Sequence, residues 1–83
     1  MQLYPNPASD DLTLDINTLE KTTLELKVVN LIGEIIFVKQ AQVVPGKQKI
    51  VFDVSSLAKS EYFIIISDME TKQITKTLKF LKK

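Results

Sequence analysis

The chain has 83 residues, of which 45% are apolar and 25% are charged, and this is the composition of one folded globular domain. It contains no cysteine and no histidine, which excludes disulfides, zinc sites built from those residues, and catalysis by a thiolate or an imidazole. All 11 basic residues are lysine and the net charge is only +1, which argues against nucleic-acid binding, and the longest apolar runs are far shorter than the roughly 20 residues of a membrane-spanning helix.

The chain begins with a lead-in, residues 1–3, which runs into Tyr4-Pro5-Asn6-Pro7. The two prolines restrict the backbone on both sides of Asn6, so this segment is predicted to be stiff and close to extended or polyproline geometry. The residues alone leave two interpretations open. The segment is either a rigid lead-in whose Tyr4 caps one end of the domain or a recognition tag.

Two groups of polar residues suggest chemistry but lack the setting for it. Asp10, Asp11 and Asp15 carry calcium-type ligands, yet Asp15 alternates onto a strand face and no carboxylate-dense loop of the EF-hand kind is present. The serines have neither a histidine partner nor a Gly-x-Ser-x-Gly setting, so capping and turn formation explain them better than nucleophilic catalysis. We therefore predict no catalytic residue, no metal site and no cofactor.

Alternation of apolar and polar residues predicts the first strands, Leu12 to Ile16 and Thr22 to Asn30. Asn30 to Glu34 follows, and Gly33 can take the positive φ of a tight turn, which predicts a β-hairpin. The next segment, Ile35 to Val43, is apolar on both faces at first, which favours a central strand.

Pro45-Gly46 is a second hairpin signal, because proline fixes φ at one turn position and glycine accepts a positive φ at the next. Lys49 to Val54 is predicted to be the strand that follows. Asp53 to Ala58 then resembles a capped single helical turn that serves as a connector.

The last third of the chain is predicted to hold two more strands. Tyr62 to Ser67 is a buried strand, Asp68 to Lys72 is a polar turn, and Gln73 to Leu81 is the final strand. The inward residues predicted for this final strand are Ile74, Leu78 and Phe80.

These segments predict a single domain over residues 1–83 with an immunoglobulin-like antiparallel β-sandwich of six to seven short strands and almost no helix. We expect a monomer with an exposed edge strand. The predicted core shared by the two sheets is Leu14, Leu26, Val28, Ile50, Phe52, Ile64 and Ile66.

Charge is distributed unevenly along the chain. Residues 1–20 hold four acids and no lysine, whereas residues 72–83 hold five lysines and no acid. The basic end, Lys79 to Lys83, has two interpretations. Lysine on an edge strand discourages edge-to-edge aggregation, and a basic strand with unpaired backbone groups is also suited to docking.

The opening Leu3 to Asp10, with its Tyr-Pro-Asn-Pro core, resembles the start of the C-terminal sorting domain (type A) of the bacterial type IX secretion system. The similarity continues through Val29 to Glu34, through Phe52 to Ala58 with the family's D-V-S-x-L stretch, and through Tyr62 to Ile65. One departure is Ser60, where the family usually has glycine. The residues that match the sorting motif are Tyr4, Pro5, Asn6, Pro7, Gly33, Asp53, Ser55, Leu57 and Tyr62, and those of the C-terminal docking end are Lys79, Phe80, Leu81, Lys82 and Lys83.

This resemblance implies a transport signal and not an enzyme. Such domains lie at the C-terminus of larger cargo proteins in Bacteroidetes-type bacteria. The cargo proteins cross the periplasm, and the outer-membrane secretion machinery recognises the domains. A sortase-like cysteine protease removes them at the cell surface, and the cargo is anchored to lipopolysaccharide or released. The expected partners are therefore this machinery, its protease and an upstream cargo, with no nucleic acid and no bilayer-spanning segment.

Two other function classes compete with a sorting signal. An extracellular adhesion or carbohydrate-binding module is compatible with a sandwich, since that architecture hosts many functions. Carbohydrate sites usually present exposed aromatic residues, and this chain has no tryptophan and few other aromatics outside core-facing positions. An enzyme is disfavoured by the absence of histidine, cysteine and clustered carboxylates.

Overall fold

The part of the chain that the structure describes forms seven strands. The computed structural model describes residues 1–71 and 73–83, and these contain no helix. The strands are β1 (Gln2–Tyr4), β2 (Asp11–Thr18), β3 (Thr22–Val29), β4 (Ile35–Val43), β5 (Gly46–Asp53), β6 (Ser60–Asp68) and β7 (Ile74–Lys82).

All strand pairs are antiparallel and form two sheets, ordered β1-β2-β5 and β4-β3-β6-β7. The two sheets pack face to face, which confirms the predicted all-β sandwich. The immunoglobulin-like arrangement stays a prediction. Among the described residues, no helix is long and apolar enough to cross a bilayer.

The core lies between the two sheets and consists of the inward residues of alternating strands. Each of the seven residues predicted for the core is buried, so that prediction is confirmed. In β2, β3 and β6 every second side chain is buried, because successive residues of a strand point to opposite faces of the sheet. Burial of these apolar faces supplies the main driving force of folding.

The prediction that Ile35 to Val43 is a central strand is wrong. This segment is β4, which pairs only with β3 and forms one edge of the four-stranded sheet. Ile35 and Val38 are 56% and 47% exposed. An apolar run on both faces is typical of a central strand, but an edge strand with an apolar outer face has the same pattern.

The two glycine turns have different roles. Gly33 has a φ of +88° in the turn between β3 and β4, which confirms the predicted hairpin. Gly46 also has a positive φ, +110°, but β4 and β5 belong to different sheets, so the predicted Pro45-Gly46 hairpin is wrong. The turn signal was correct for the backbone of Gly46 and carries no information about which strands pair.

The predicted single helical turn at Asp53 to Ala58 is also wrong. The Leu57 N–H donates to the Val54 carbonyl over 3.1 Å, which closes a β-turn, and the chain then enters β6 of the other sheet. In this turn the Asp53 carboxylate accepts a hydrogen bond from the backbone N–H two residues later. Aspartate makes a similar bond when it caps a helix, so the sequence does not distinguish a turn from a helix cap.

β7 contains an irregularity that explains a further difference. Ser67 pairs with Ile74 and Ile66 pairs with Lys76, so β7 has one residue more than β6 at this point, as in a β-bulge. Ile74, predicted to point inward, is 66% exposed, whereas Phe80 is buried as expected. Of the polar turn predicted before β7, Lys72 lies outside the described residues.

Candidate functional site

The sorting-motif residues and the basic end come together at one end of the sandwich. Tyr4 at the end of β1 pairs with Thr13, and Asp53 at the end of β5 pairs with Asp11 at the start of β2. In the other sheet, Ser60 at the start of β6 pairs with Lys82 at the end of β7. A backbone pair between Ala8 and Lys82 joins these two ends. We call this region the motif end.

Tyr4 is fixed on the outer face of the three-stranded sheet. Its hydroxyl donates to Asp15 Oδ1 over 3.1 Å and accepts from Lys49 Nζ over 2.7 Å. The ammonium group also lies 5.4 Å from the centre of the Tyr4 ring, at cation–π distance, and 3.8 Å from the Asp15 carboxylate. The hydrogen bond with Tyr4 and, next, the negative charge of Asp15 raise the pKa of Lys49.

The proline segment then crosses from the three-stranded sheet to the edge of β7. The chain bends over residues 5–7, so the segment is not extended as predicted. The Tyr4-Pro5 and Asn6-Pro7 peptide bonds are cis. Ala8 is completely buried where the crossing ends.

Three hydrogen bonds hold this crossing to the end of β7. The Leu81 N–H donates to Asn6 Oδ1 over 3.0 Å. The Ala8 N–H donates to the Leu81 carbonyl over 2.8 Å, and the Lys83 N–H donates to the Ala8 carbonyl over 2.9 Å. We call residues 6–8 and 81–83, joined in this way, the clasp. It connects parts of the chain that are 75 residues apart.

The clasp determines which backbone groups and side chains of the basic end, Lys79 to Lys83, are exposed. The backbone N–H and C=O of Leu81 face away from β6 but are bonded to Asn6 and Ala8, so the predicted unpaired backbone groups are absent at this residue. Phe80 is buried and Lys82 is only 8% exposed. Lys79, Leu81 and Lys83 are exposed, and Lys79 forms an ion pair of 3.2 Å with Glu61.

The D-V-S-x-L stretch leads from β5 to β6, where Tyr62 contacts β7 from inside the sandwich. Asp53 Oδ1 accepts from the Ser55 hydroxyl over 2.6 Å and from the Ser55 N–H over 3.0 Å, and these bonds, the hydroxyl first, lower the pKa of Asp53. Leu57 packs against the core. The chain then reaches Tyr62, whose hydroxyl donates to the Ala58 carbonyl over 2.7 Å and whose ring stacks on Phe80 with 5.5 Å between the centroids.

Gly33 forms the turn that connects β3 to β4 at the same motif end. Asn30 Oδ1 accepts from the Ile32 and Glu34 N–H groups over 3.1 and 2.9 Å, and the positive φ of Gly33 completes the turn. The side chains at the tip are exposed, Ile32 to 80%. Gly33 therefore shapes this loop and is not in the clasp.

The family of the chain follows from a comparison with family models. The model described as secretion system C-terminal sorting domain matches residues 2–80. The chain belongs to this family. The match begins with β1 and includes the Asn6 to Ala8 part of the clasp. A comparison with curated proteins returns no match. The family is that of the type IX secretion system, as the resemblance in the sequence implied, and its domains act as C-terminal sorting signals for export to the cell surface or the extracellular space.

The chemistry of the motif end is that of a binding surface. Its exposed side chains include prolines, one amide, one leucine and lysines, together with the carboxylates of Asp11 and Asp53, which suit recognition by contact and charge. Across the described part of the chain, no three acidic side chains are close enough together to hold a metal ion. Sequence reasoning named both halves of this surface but missed Ala8 and the pairing of Asn6 with Leu81.

Proposed function

We propose that the sorting domain is read as a folded signal, and that the clasp is the part that the secretion machinery recognises. The observation that carries this proposal is the hydrogen bonding of Asn6 and Ala8 to Leu81 and Lys83, which makes one surface out of the two ends of the domain. An unfolded chain holds these residues far apart, so only the folded domain presents them together.

The exposed part of the clasp has a defined chemistry. Asn6 and Pro7, preceded by the exposed Pro5, are exposed on one side, and Leu81 and Lys83 are exposed on the other. Leu81 is 42% exposed although it is apolar. A partner that binds here would contact a rigid proline segment, one apolar side chain and a cation, and the charge would accelerate association with an acidic surface.

The domain follows a cargo protein and is removed by a sortase-like protease at the cell surface, on the N-terminal side of β1. Support for this position comes from the ladder between β1 and β2, in which Gln2, Leu3 and Tyr4 pair with Asp15, Leu14 and Thr13. A protease needs an extended, accessible backbone, and hydrogen-bonded strand residues do not provide one. The domain would therefore leave with its motif intact.

The domain acts as a signal and not as a catalyst. The support is its composition, which lacks histidine and cysteine, and the use of its motif residues in turns, in the core and in the clasp.

An export assay tests the proposal. Residues 2–83 are fused to the C-terminus of an inert reporter with a Sec signal and expressed in a host with type IX machinery. We expect the reporter outside the outer membrane. Deletion of Lys79 to Lys83 should leave it in the periplasm, and melting curves of the purified domains show whether the truncated form is folded.

Two point variants separate the geometry of the clasp from its charge. Asn6→Ala removes the acceptor for the Leu81 N–H, and Lys83→Ala removes an exposed cation without removing the strand. We expect reduced export for both, with both variants folded at the temperature of the export assay. Unchanged export of a folded Asn6→Ala domain would refute recognition through the clasp. A parent fusion that stays in the periplasm would refute the sorting signal in this chain.

A further inference from the structure

The first strand of the domain is much shorter than the strand with which it pairs. β1 has three residues, Gln2–Tyr4, whereas β2 has eight, Asp11–Thr18. Within the described residues, the edge of β2 beyond Asp15 has no partner on the β1 side. We infer that the residues of an attached cargo chain that directly precede Met1, the cargo segment, continue β1 along this edge. This inference rests on the proposed function, which places a cargo before the domain.

The backbone direction along β2 follows from one hydrogen bond at its start. The Val54 N–H donates to the Asp10 carbonyl over 2.8 Å, so the backbone groups of Asp10 face β5. In an antiparallel ladder this direction alternates from one residue to the next. The residues whose N–H and C=O groups face the β1 edge are therefore Asp11, Thr13, Asp15 and Asn17.

The register of the existing ladder identifies the next pair. Gln2 is opposite Asp15, and Asn17 lies two residues further along the same edge. The position opposite Asn17 belongs to the residue directly before Met1. A residue there can donate its N–H to the Asn17 carbonyl and accept the Asn17 N–H. Because the cargo segment is covalently joined to β1, its effective concentration at this edge far exceeds that of a separate strand.

A groove of about 460 Å³ lies where the continued strand would pass. Its lining includes Met1 and Gln2 at the start of the chain, Asn17 of β2 and Lys47 of β5. Side chains two residues apart in a strand share a face, so the residue directly before Met1 would share a face with Gln2 and direct its side chain into the groove. Free backbone groups and space for a side chain therefore occur at the same place.

The charge of the groove favours an acidic side chain in the cargo segment. Lys49 on the groove wall forms an ion pair with Asp15. Lys47 is exposed and forms no ion pair with any residue that the structure describes. Aspartate or glutamate directly before Met1 would lie on the same face as Lys47, so the attraction of opposite charges would add to the two backbone hydrogen bonds.

Pairing of the cargo segment also limits where the cargo is removed. β2 ends at Thr18, so the two residues before Met1 lie opposite Asn17 and Thr18. The backbone leaves the sheet only at the third residue before Met1. A protease needs an accessible backbone, so we expect cleavage at this residue or further upstream.

Amide exchange tests the pairing in purified protein. The 83-residue chain is compared with the same chain preceded by eight residues, which are serine and threonine with glutamate directly before Met1. We expect the Asn17 amide to exchange several-fold more slowly in the extended protein. The Asp11 amide is the matched control, because it faces the same edge beyond the other end of β1, and its rate should not change. Equal Asn17 rates in the two proteins would overturn the inference.

Two proline variants of the extended protein test the register. Proline directly before Met1 removes the N–H that would bond to Asn17, and the Asn17 rate should return to that of the 83-residue chain. Proline at the second position before Met1 removes an N–H that faces solvent, and Asn17 should stay protected. Any other result for the two prolines would overturn the register.

An arginine-specific protease measures the accessibility of the cargo segment, because all 11 basic residues of the chain are lysine. Arginine is placed at the second or at the sixth position before Met1, and each rate is divided by that of an unfolded peptide of the same sequence. We expect cleavage at the second position to be several-fold slower, and equal ratios would overturn the inference. These outcomes are distinct from those of the export assay. Export with an unprotected Asn17 would refute only the pairing, and a protected Asn17 without export would refute only the sorting signal.

Discussion

The two edges of the four-stranded sheet differ: the chain itself closes the β7 edge and leaves the β4 edge open. At β7, the clasp occupies the backbone of Leu81 and Lys83, and Lys79 adds an exposed charge. At β4, no segment of the described chain covers the outward backbone groups, and the one charged residue of the strand, the exposed Lys39, points to the inner face, where its Nζ donates to the Val51 carbonyl. An inward-pointing charge is one of the devices that protect an open edge strand, so β4 is protected by Lys39 and β7 by the clasp. The family motif lies at the edge that the domain closes itself, which indicates that one role of the motif is to fix β7 in the fold.

The largest expected loss of stability follows from the substitution of Phe52, the aromatic residue beneath the β4 edge. Phe52 is buried, its ring centre is 6.4 Å from that of Phe37 on β4, and Lys39 lies over it. Phe52→Ala should lower the free energy of unfolding by about 3–5 kcal/mol, because it leaves a cavity in the core. Chemical denaturation measures this change. Phe52→Leu is the control that retains most of the volume, and a Phe52→Ala domain that melts within a few degrees of the parent would contradict the assigned core.

Substitution of Gly33, in the hairpin that leads into β4, should lower the free energy of unfolding by a smaller amount. No atom lies within 4 Å of a Cβ built at Gly33, so Gly33→Ala creates no clash and its cost is that of a left-handed backbone, about 1–2 kcal/mol. Gly33→Asn should cost less, since asparagine adopts this conformation more readily. Denaturation of the pair checks the order. An equal loss for alanine and asparagine would show that side-chain contacts decide the cost and not the backbone.

Removal of the side-chain hydrogen bond at the β7 edge should lower the free energy of unfolding less than the substitution of Gly33 does. Asn6→Ala deletes one hydrogen bond to the Leu81 N–H, which is worth about 0.5–1.5 kcal/mol. Asn6→Asp retains an acceptor at Oδ1 and should keep most of the stability. The amide resonance of Leu81 should shift in Asn6→Ala and much less in the aspartate variant. Identical stability and spectra for all three forms would mean that the side chain of Asn6 does not hold β7.

The smallest expected effect is a pH dependence at the turn that leads to Tyr62. Because the Ser55 hydroxyl and N–H stabilise its charged form, the pKa of Asp53 is lower in the folded state than in the unfolded state. Its contribution to stability is therefore present at neutral pH and is lost as the pH falls from about 4 through the folded-state pKa. Ser55→Ala should raise the pKa of Asp53, as followed by NMR titration of the carboxyl carbon. An unchanged titration midpoint would exclude the Ser55 hydroxyl as the main cause.

The sequence was sufficient for the core and for part of the turns. Strict alternation in β2 and β3 identified buried residues such as Leu14 and Leu26, because a period of two has one interpretation when one face is polar. It was insufficient for β4, whose position at an edge depends on which strands pair. It also placed Gly46 in a hairpin, although this turn joins different sheets.

The site shows the same division between local and distant information. The motif residues could be listed from local similarity, and the end charges from composition. The bond between Asn6 and Leu81 joins residues 75 positions apart, and no local pattern specifies such a contact. The partial burial of Lys82 could be suspected from its alternation with Phe80, but a lysine at the end of a chain is normally expected in solvent.

Amide hydrogen exchange of the folded domain tests the central claim most directly, because it compares the two edges in one experiment. The Leu81 and Lys83 N–H groups are bonded in the clasp, whereas those of Gln40 and Gln42 point outward without a partner in the described structure. We predict that Leu81 exchanges several-fold more slowly than Gln40, and that Asn6→Ala brings Leu81 to the rate of Gln40. A Leu81 amide that exchanges as fast as Gln40 in the parent domain would show that β7 is not held by the clasp.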